Sequence, residues 1–229
     1  MGNCLSADDP LSLRDLVVQP GAPPEQQLTA DVITKGLNAV ASALNAKKLN
    51  LSIIAVGGAV NTLLLHTRQS TGDVDFFYRT KTKNEDVTQV ITAADAARKT
   101  LQLDDHWLNN HTALFIQEGT IQLLYDEAVQ QNEKVFTAPG LTVYAAPWRY
   151  ALLTKLDRLS KTGARPYDMS DAVGYLERLI TKRGGTAVKK SELTTWAGEF
   201  KFTVPTDDLM NSLGAEYKKK TGKDGVVNG

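Results

Sequence analysis

The chain lacks most of what would mark it as secreted, membrane-spanning or zinc-binding. Cysteine occurs once, at Cys4, so no intramolecular disulfide can form. A reducing compartment, the cytoplasm, is the expected location. Long hydrophobic runs are missing as well. The apolar stretch at residues 51–60 is far shorter than the roughly 20 residues a membrane-crossing helix needs. The only histidines are His66, His106 and His111, and with Cys4 distant at the N-terminus no Cys/His zinc site is expected. An excess of either charge is also absent: 26 basic residues balance 26 acidic ones. A general nucleic-acid binder normally carries a basic surplus, so composition makes no strong case for such a partner.

What is present describes an ordinary globular protein. The 229 residues are 42% hydrophobic and 23% charged, and a chain of that length can bury a core without covalent staples. The N-terminus reads Met-Gly-Asn-Cys-Leu-Ser. Gly2 with Ser6 fits the pattern for N-myristoylation, and Cys4 stands where palmitoylation would add a second chain. Two acyl chains hold a protein stably where one does not. Asp8 and Asp9 oppose attraction to anionic lipid, and an unmodified tail is the alternative. The expectation is peripheral anchoring to the cytoplasmic face of a membrane through Gly2 and Cys4.

Residues 1–27, with Pro10, Pro20, Pro23 and Pro24, read as an extended arm. Thr29 is placed to cap a helix over 30–47, where Val32, Ile33, Leu37, Val40, Ala41 and Leu44 recur at helical spacing. A short β-branched run at 51–56 predicts a buried strand, closed by Gly57-Gly58 and followed by a helix over 59–66. Residues 73–78 predict a second strand and 84–103 a helix. Residues 113–117 and 121–125 predict two strands around a turn at Glu118-Gly119, and 141–145 another. Pro147 suits the first turn of a helix reaching about residue 160. Further helices are expected over 167–182, 191–200 and 206–219. The fold class is therefore α/β (α+β). A small mixed sheet flanked by helices (28–146) precedes a helical subdomain (147–220) and a disordered tail (221–229).

The chemistry concentrates between Val56 and Phe77. Residues two apart on a strand share a face, so Asp73 and Asp75 project together. Like charges held that close repel, and a divalent cation relieves them. Glycines at a strand end before a helix let a polyphosphate approach the backbone and meet helical N–H groups. An acid pair beside a phosphate cradle is a candidate phosphoryl-transfer site.

Gly-Gly, a helix, then Asp-x-Asp on the next strand resembles the nucleotidyltransferase fold. The run Arg68-x-x-Thr71-x-Asp73-Val74-Asp75 is similar to the branch that includes the abortive-infection toxin-type enzymes. So are Leu141-Thr142-Val143-Tyr144-Ala145-Ala146-Pro147, Leu153-Thr154-Lys155-Leu156 and Arg165-x-x-Asp168-x-x-Asp171. The resemblance spans about residues 50–180. It implies a nucleoside triphosphate as ligand, Mg²⁺ or Mn²⁺ on Asp73 and Asp75, and an unidentified hydroxyl acceptor. Gly57, Gly58, Arg68, Thr71 and Asp168 would then serve the nucleotide, with Lys155 facing it as a catalytic residue beside the acid pair. Asp168 and Asp171 match helix acids, but Tyr167 stands where that family usually has lysine. The resemblance also implies a third carboxylate on a later strand beside the acid pair. The corresponding stretch is read as 121–124, which puts Gln122 there, with Asp126 and Glu118 as the nearest acids. Glutamine cannot act as a base. Two functions are thus expected: a magnesium-dependent nucleotidyltransferase, or a catalytically impaired nucleotide-binding or scaffold protein tethered to a membrane. A purely structural interaction domain is the third reading.

Overall fold

In a computed structural model, residues 26–81, 84–117 and 119–229 are described. The organising strand is β2 (Leu51–Val56), whose run Leu-Ser-Ile-Ile-Ala-Val buries side chains on both faces. It lies at the centre of a five-stranded mixed sheet of order β5-β4-β2-β7-β6, completed by β4 (Val74–Phe77), β5 (Leu108–Asn109), β6 (Lys134–Ala138) and β7 (Leu141–Ala145). β2 runs parallel to β7, with Leu51 opposite Leu141 and Ala55 opposite Ala145. It runs antiparallel to β4, with Val56 opposite Asp75. β4 and β5 are parallel, and Asp75 pairs with Asn109. The pair β1 (Leu28–Thr29) and β3 (Ser70–Thr71) forms a separate antiparallel rung.

Strand alternation sorts the core. Ile53, Ala55, Val74, Phe76, Leu108 and Val143 join the main cluster. There they meet α1 (Ala30–Ala46), which buries Ile33, Leu37, Val40, Ala41 and Leu44. Ile54 and Phe77 point the other way, into a smaller cluster with Ile121, Leu124, Ala128 and Tyr150. The second helix begins at the glycine pair as α2 (Gly58–Val60) and runs on as a π-helical turn, Asn61–Leu65. α3 (Glu85–Leu101) is capped by the Asn84 side chain, which accepts from the Asp86 N–H at 2.8 Å.

Beyond the sheet come α5 (Trp148–Leu159) and α6 (Asp168–Lys182), packed together, then α7 (Lys190–Phe200) and α8 (Asp207–Thr221). The main cluster runs without a break from Leu28 to Tyr217, so helices and sheet share one core. Residues 221–229, expected to be disordered, return to the fold: β9 (Val226–Val227) pairs in parallel with β8 (Val188–Lys189).

Two expected strands are not strands. Residues 113–117 lie mostly in a 3-10 turn, His111–Phe115, and 121–125 open the helix α4 (Ile121–Gln131). Ile121, Leu124 and Ala128 are its buried residues. Their i, i+3, i+7 spacing is helical, and a window closed at Tyr125 misses its last member. β5 and β6 lie where no strand was expected. Among the described residues no helix is long and apolar enough to cross a membrane.

Candidate functional site

The site begins where β2 ends. Gly57 has φ +67° and ψ −131°, a conformation that strains an L side chain. A Cβ there would meet open space. Gly58 is demanded by proximity instead, since its Cβ would fall 1.9 Å from Thr71 Oγ1. The Gly57 carbonyl accepts from the Asn61 N–H at 3.2 Å, from Asn61 Nδ2 at 3.0 Å and from the Tyr175 hydroxyl at 3.2 Å. The turn is thus open on one side and pinned on the other. The π-turn behind it ends at His66, φ 54°; such turns recur at functional sites.

The acids stand beside this turn. Asp75 pairs with Val56, the residue before Gly57, and Asp73 immediately precedes the same strand. Both are half-buried. Asn109, opposite Asp75 on β5, is 4% exposed. Its Nδ2 donates to Asp73 Oδ2 at 3.2 Å and to the His106 carbonyl at 3.0 Å, and its Oδ1 accepts from the His111 N–H at 3.0 Å. Among the described residues no group of three or more His, Cys, Asp or Glu side chains is arranged to hold a metal ion.

Behind the turn lies a buried ion network. Arg68 forms a two-point ion pair with Asp171, its Nε lying 3.1 Å from Oδ1 and its Nη2 bonded to Oδ2. Lys155 Nζ reaches Asp171 Oδ2 at 2.9 Å and Asp168 Oδ1 at 3.0 Å. Asp168 Oδ2 accepts from the Arg165 N–H at 2.9 Å, so it fixes the start of α6. The Tyr167 ring lies 3.5 Å below the Arg68 guanidinium carbon, a cation–π contact. The Thr67 hydroxyl links the network to the turn through Asn61 Oδ1 at 3.1 Å, and Asn61 Nδ2 donates to the Tyr175 hydroxyl at 2.8 Å.

The electrostatics follow from burial and pairing. Burial works against charge on Arg68, yet its bond and attraction to Asp171 raise its pKa. Burial likewise opposes ionisation of Asp168, but Lys155, the Arg165 N–H and Arg158 hold the carboxyl below its ordinary value. Burial, with Asp171 nearby, pushes the Tyr175 hydroxyl up, so it remains a donor. The two central acids and two central cations cancel, the condition under which buried charges persist.

The sequence-predicted residues therefore divide. Gly57, Gly58, Asp73 and Asp75 gather around one turn. Thr71 is 7% exposed and packed under Gly58 as its spacer. Lys155 and Asp168, expected to meet the nucleotide, are 4% and 0% exposed and bound within the network. Arg68 joins them there. Gln122 and Asp126 are not on a strand beside the acid pair. Both are exposed on α4, where Gln122 Nε2 donates to Asp126 at 2.9 Å. The side chain beside the acids is Asn109, which sequence reasoning missed. Its signal in the sequence is the run Trp107-Leu108-Asn109, two apolar residues ahead of a polar one. Gly2, Cys4 and Glu118 lie outside the described residues.

Neither a curated protein nor a solved structure matches this chain. One family profile, described as "Domain of unknown function (DUF7582)", matches residues 25–224, and the chain belongs to that family.

Proposed function

We propose that this is a nucleotidyltransferase-like protein that binds a nucleoside triphosphate with Mg²⁺ or Mn²⁺ and transfers its nucleoside monophosphate slowly or not at all. The observation that carries this is the meeting of the Gly57-Gly58 turn with Asp73, Asp75 and Asn109 at adjacent strand positions. The donor set fits the ion. Two carboxylates are enough for Mg²⁺ when substrate phosphates supply further oxygens. When bound, the metal would neutralise phosphate charge.

The chain's own residues would do the rest. The open face of the glycine turn admits the polyphosphate. Asp73 and Asp75 would hold the ion beside the phosphates. The ion network keeps the turn in place through Thr67, Asn61 and Tyr175. Asn109 stands on a strand beside the acid pair, where a third acid was sought at Gln122, and an amide cannot take the proton of an attacking hydroxyl. Binding with weak transfer follows. Gly2 and Cys4 fit the same reading as a lipid anchor to the cytoplasmic face of a membrane, tested by incorporation of labelled myristate and palmitate.

Calorimetric titration of ATP with and without Mg²⁺ tests the binding, and release of labelled pyrophosphate tests the transfer. Asp75→Asn is expected to abolish magnesium-dependent binding while leaving the fold intact. Asn109→Asp is expected to raise pyrophosphate release, at a cost in apo stability of about 1–3 kcal/mol from the lost amide bonds. ATP affinity that ignores both Mg²⁺ and Asp75→Asn would end this reading.

A further inference from the structure

The sheet ends at β5, and past that edge lies a cavity of about 410 Å³, within the range of small-molecule sites. α3 contributes one wall through Ile91, Asp95 and Arg98, and β5 and its flanking loops contribute the other. Leu108, buried, provides apolar surface there. His106 and His111, both exposed, line the opening with ring centroids 5.2 Å apart. His106 is held there by a left-handed backbone, φ 64°, which is uncommon for a residue other than glycine.

One side chain joins this cavity to the acid pair. Asn109 lines it and donates to Asp73. The glycine turn lies on the other side of the acids, because β4 stands between β2 and β5. In phosphoryl transfer the attacking and leaving oxygens lie roughly in line on opposite sides of phosphorus. With a triphosphate along the turn, the attacking hydroxyl arrives from the β5 side. We infer that the cavity binds a small hydroxyl-bearing molecule with a ring or apolar body and a neutral or cationic substituent. Its role as acceptor rests on the function proposed above.

The lining selects that chemistry. Ile91 and Leu108 suit the apolar body, and the two imidazoles can exchange hydrogen bonds with a hydroxyl. Asp95 and Asp105 both bond Arg98, at 3.0 and 2.7 Å. Asp95 also bonds Lys99 at 2.6 Å, but Lys99 does not line the cavity, so the lining carries two carboxylates against one guanidinium that they already share. In the transfer, the ligand's hydroxyl oxygen bonds to the α-phosphorus. The bond from that phosphorus to the bridging oxygen breaks, pyrophosphate leaves with the electron pair, and the hydroxyl proton passes to water.

Tyramine and p-hydroxyphenylacetate share a phenol and differ in charge, so they serve as probes. Each is titrated into the full chain while the ring-proton NMR signals of His106 and His111 are followed. Tyramine is expected to shift both signals, with a Kd at least about tenfold below that of p-hydroxyphenylacetate. Ile91→Trp fills the cavity from a partly exposed helix position and is expected to weaken tyramine about tenfold or more, with magnesium-dependent ATP affinity kept within about twofold. His111→Ala, at an exposed position, is expected to weaken tyramine too and guards against misfolding of the first variant. Equal shifts from both probes, or none, overturn the inference. Loss of ATP binding in a folded Ile91→Trp protein also overturns it, because the cavity would then belong to the nucleotide. A wild type that binds tyramine at both histidines but no ATP ends the triphosphate reading and the acceptor role with it, and supports the hydroxyl site itself.

Discussion

Asp171 is the side chain on which the buried network turns, and Asp171→Asn tests the network directly. The substitution keeps the shape and removes one negative charge. Arg68 loses its two-point partner, and two cations, Arg68 and Lys155, are left facing Asp168 alone. Removing one member of a buried pair costs about 3–5 kcal/mol because the partner's charge is left uncompensated. The lower end applies here, since Arg68 is 11% exposed and keeps the Tyr167 ring beneath it. For a chain of this size each kcal/mol moves the melting temperature by about 2–4 °C, so about 3 kcal/mol predicts a fall of about 6–12 °C. Scanning calorimetry at neutral pH measures it, with Asp75→Asn, at a half-buried acid on β4, run in parallel. Lys155→Met added to Asp171→Asn restores charge balance. The double variant should therefore melt above the sum of the single effects, by a coupling of about 0.5–3 kcal/mol. A shift under about 2 °C for Asp171→Asn, or strict additivity in the double variant, would refute a charge-balanced network.

The remaining predictions follow from the same geometry. Gly58→Ala forces a methyl onto Thr71 and should cost about 1–3 kcal/mol together with ATP affinity; an unchanged melting curve would show that Thr71 yields. Gly57→Ala meets no neighbour but must hold a positive φ, so it should cost about 1–2 kcal/mol of backbone strain in denaturant titrations. Asp168 has its folded pKa below its ordinary 3.8, so its stabilisation is complete above that value and is lost as pH falls through the lower folded one. Acid unfolding monitored by circular dichroism should accordingly be steeper in the wild type than in Asp168→Asn, and identical acid limbs would contradict the assignment.

Much of the fold was legible because its signals are local. The spacing of Ile33, Leu37, Val40 and Leu44 gives α1, the β-branched run gives β2, and Pro147 marks the entry to α5. The strand at 121–125 failed for a local reason, a window too short to reveal the helical period through Ala128. β5 failed for a tertiary one. Two residues, Leu108 and Asn109, make a strand only because β4 lies alongside to accept them, and no pattern that short announces its partner. The return of Val226 and Val227 to β8 is equally non-local.

The site divides along the same line. Asp73 and Asp75 were found from an i, i+2 spacing, a property of one strand. Asp168 and Asp171, an i, i+3 pair on one helix face, looked like a second set of functional acids, and in sequence nothing separates the two pairs. The structure separates them by what surrounds each. Asp168 and Asp171 have no exposed surface, and Lys155 and Arg68 neutralise them. Asp73 and Asp75 remain half-open beside a turn whose glycine leaves room for a ligand. A carboxylate neutralised within the fold can position a loop but has little charge left for a metal. A ligand can reach the half-exposed pair on β4 and cannot reach the fully buried pair on α6, and this is why β4 is the place to look for a bound cation.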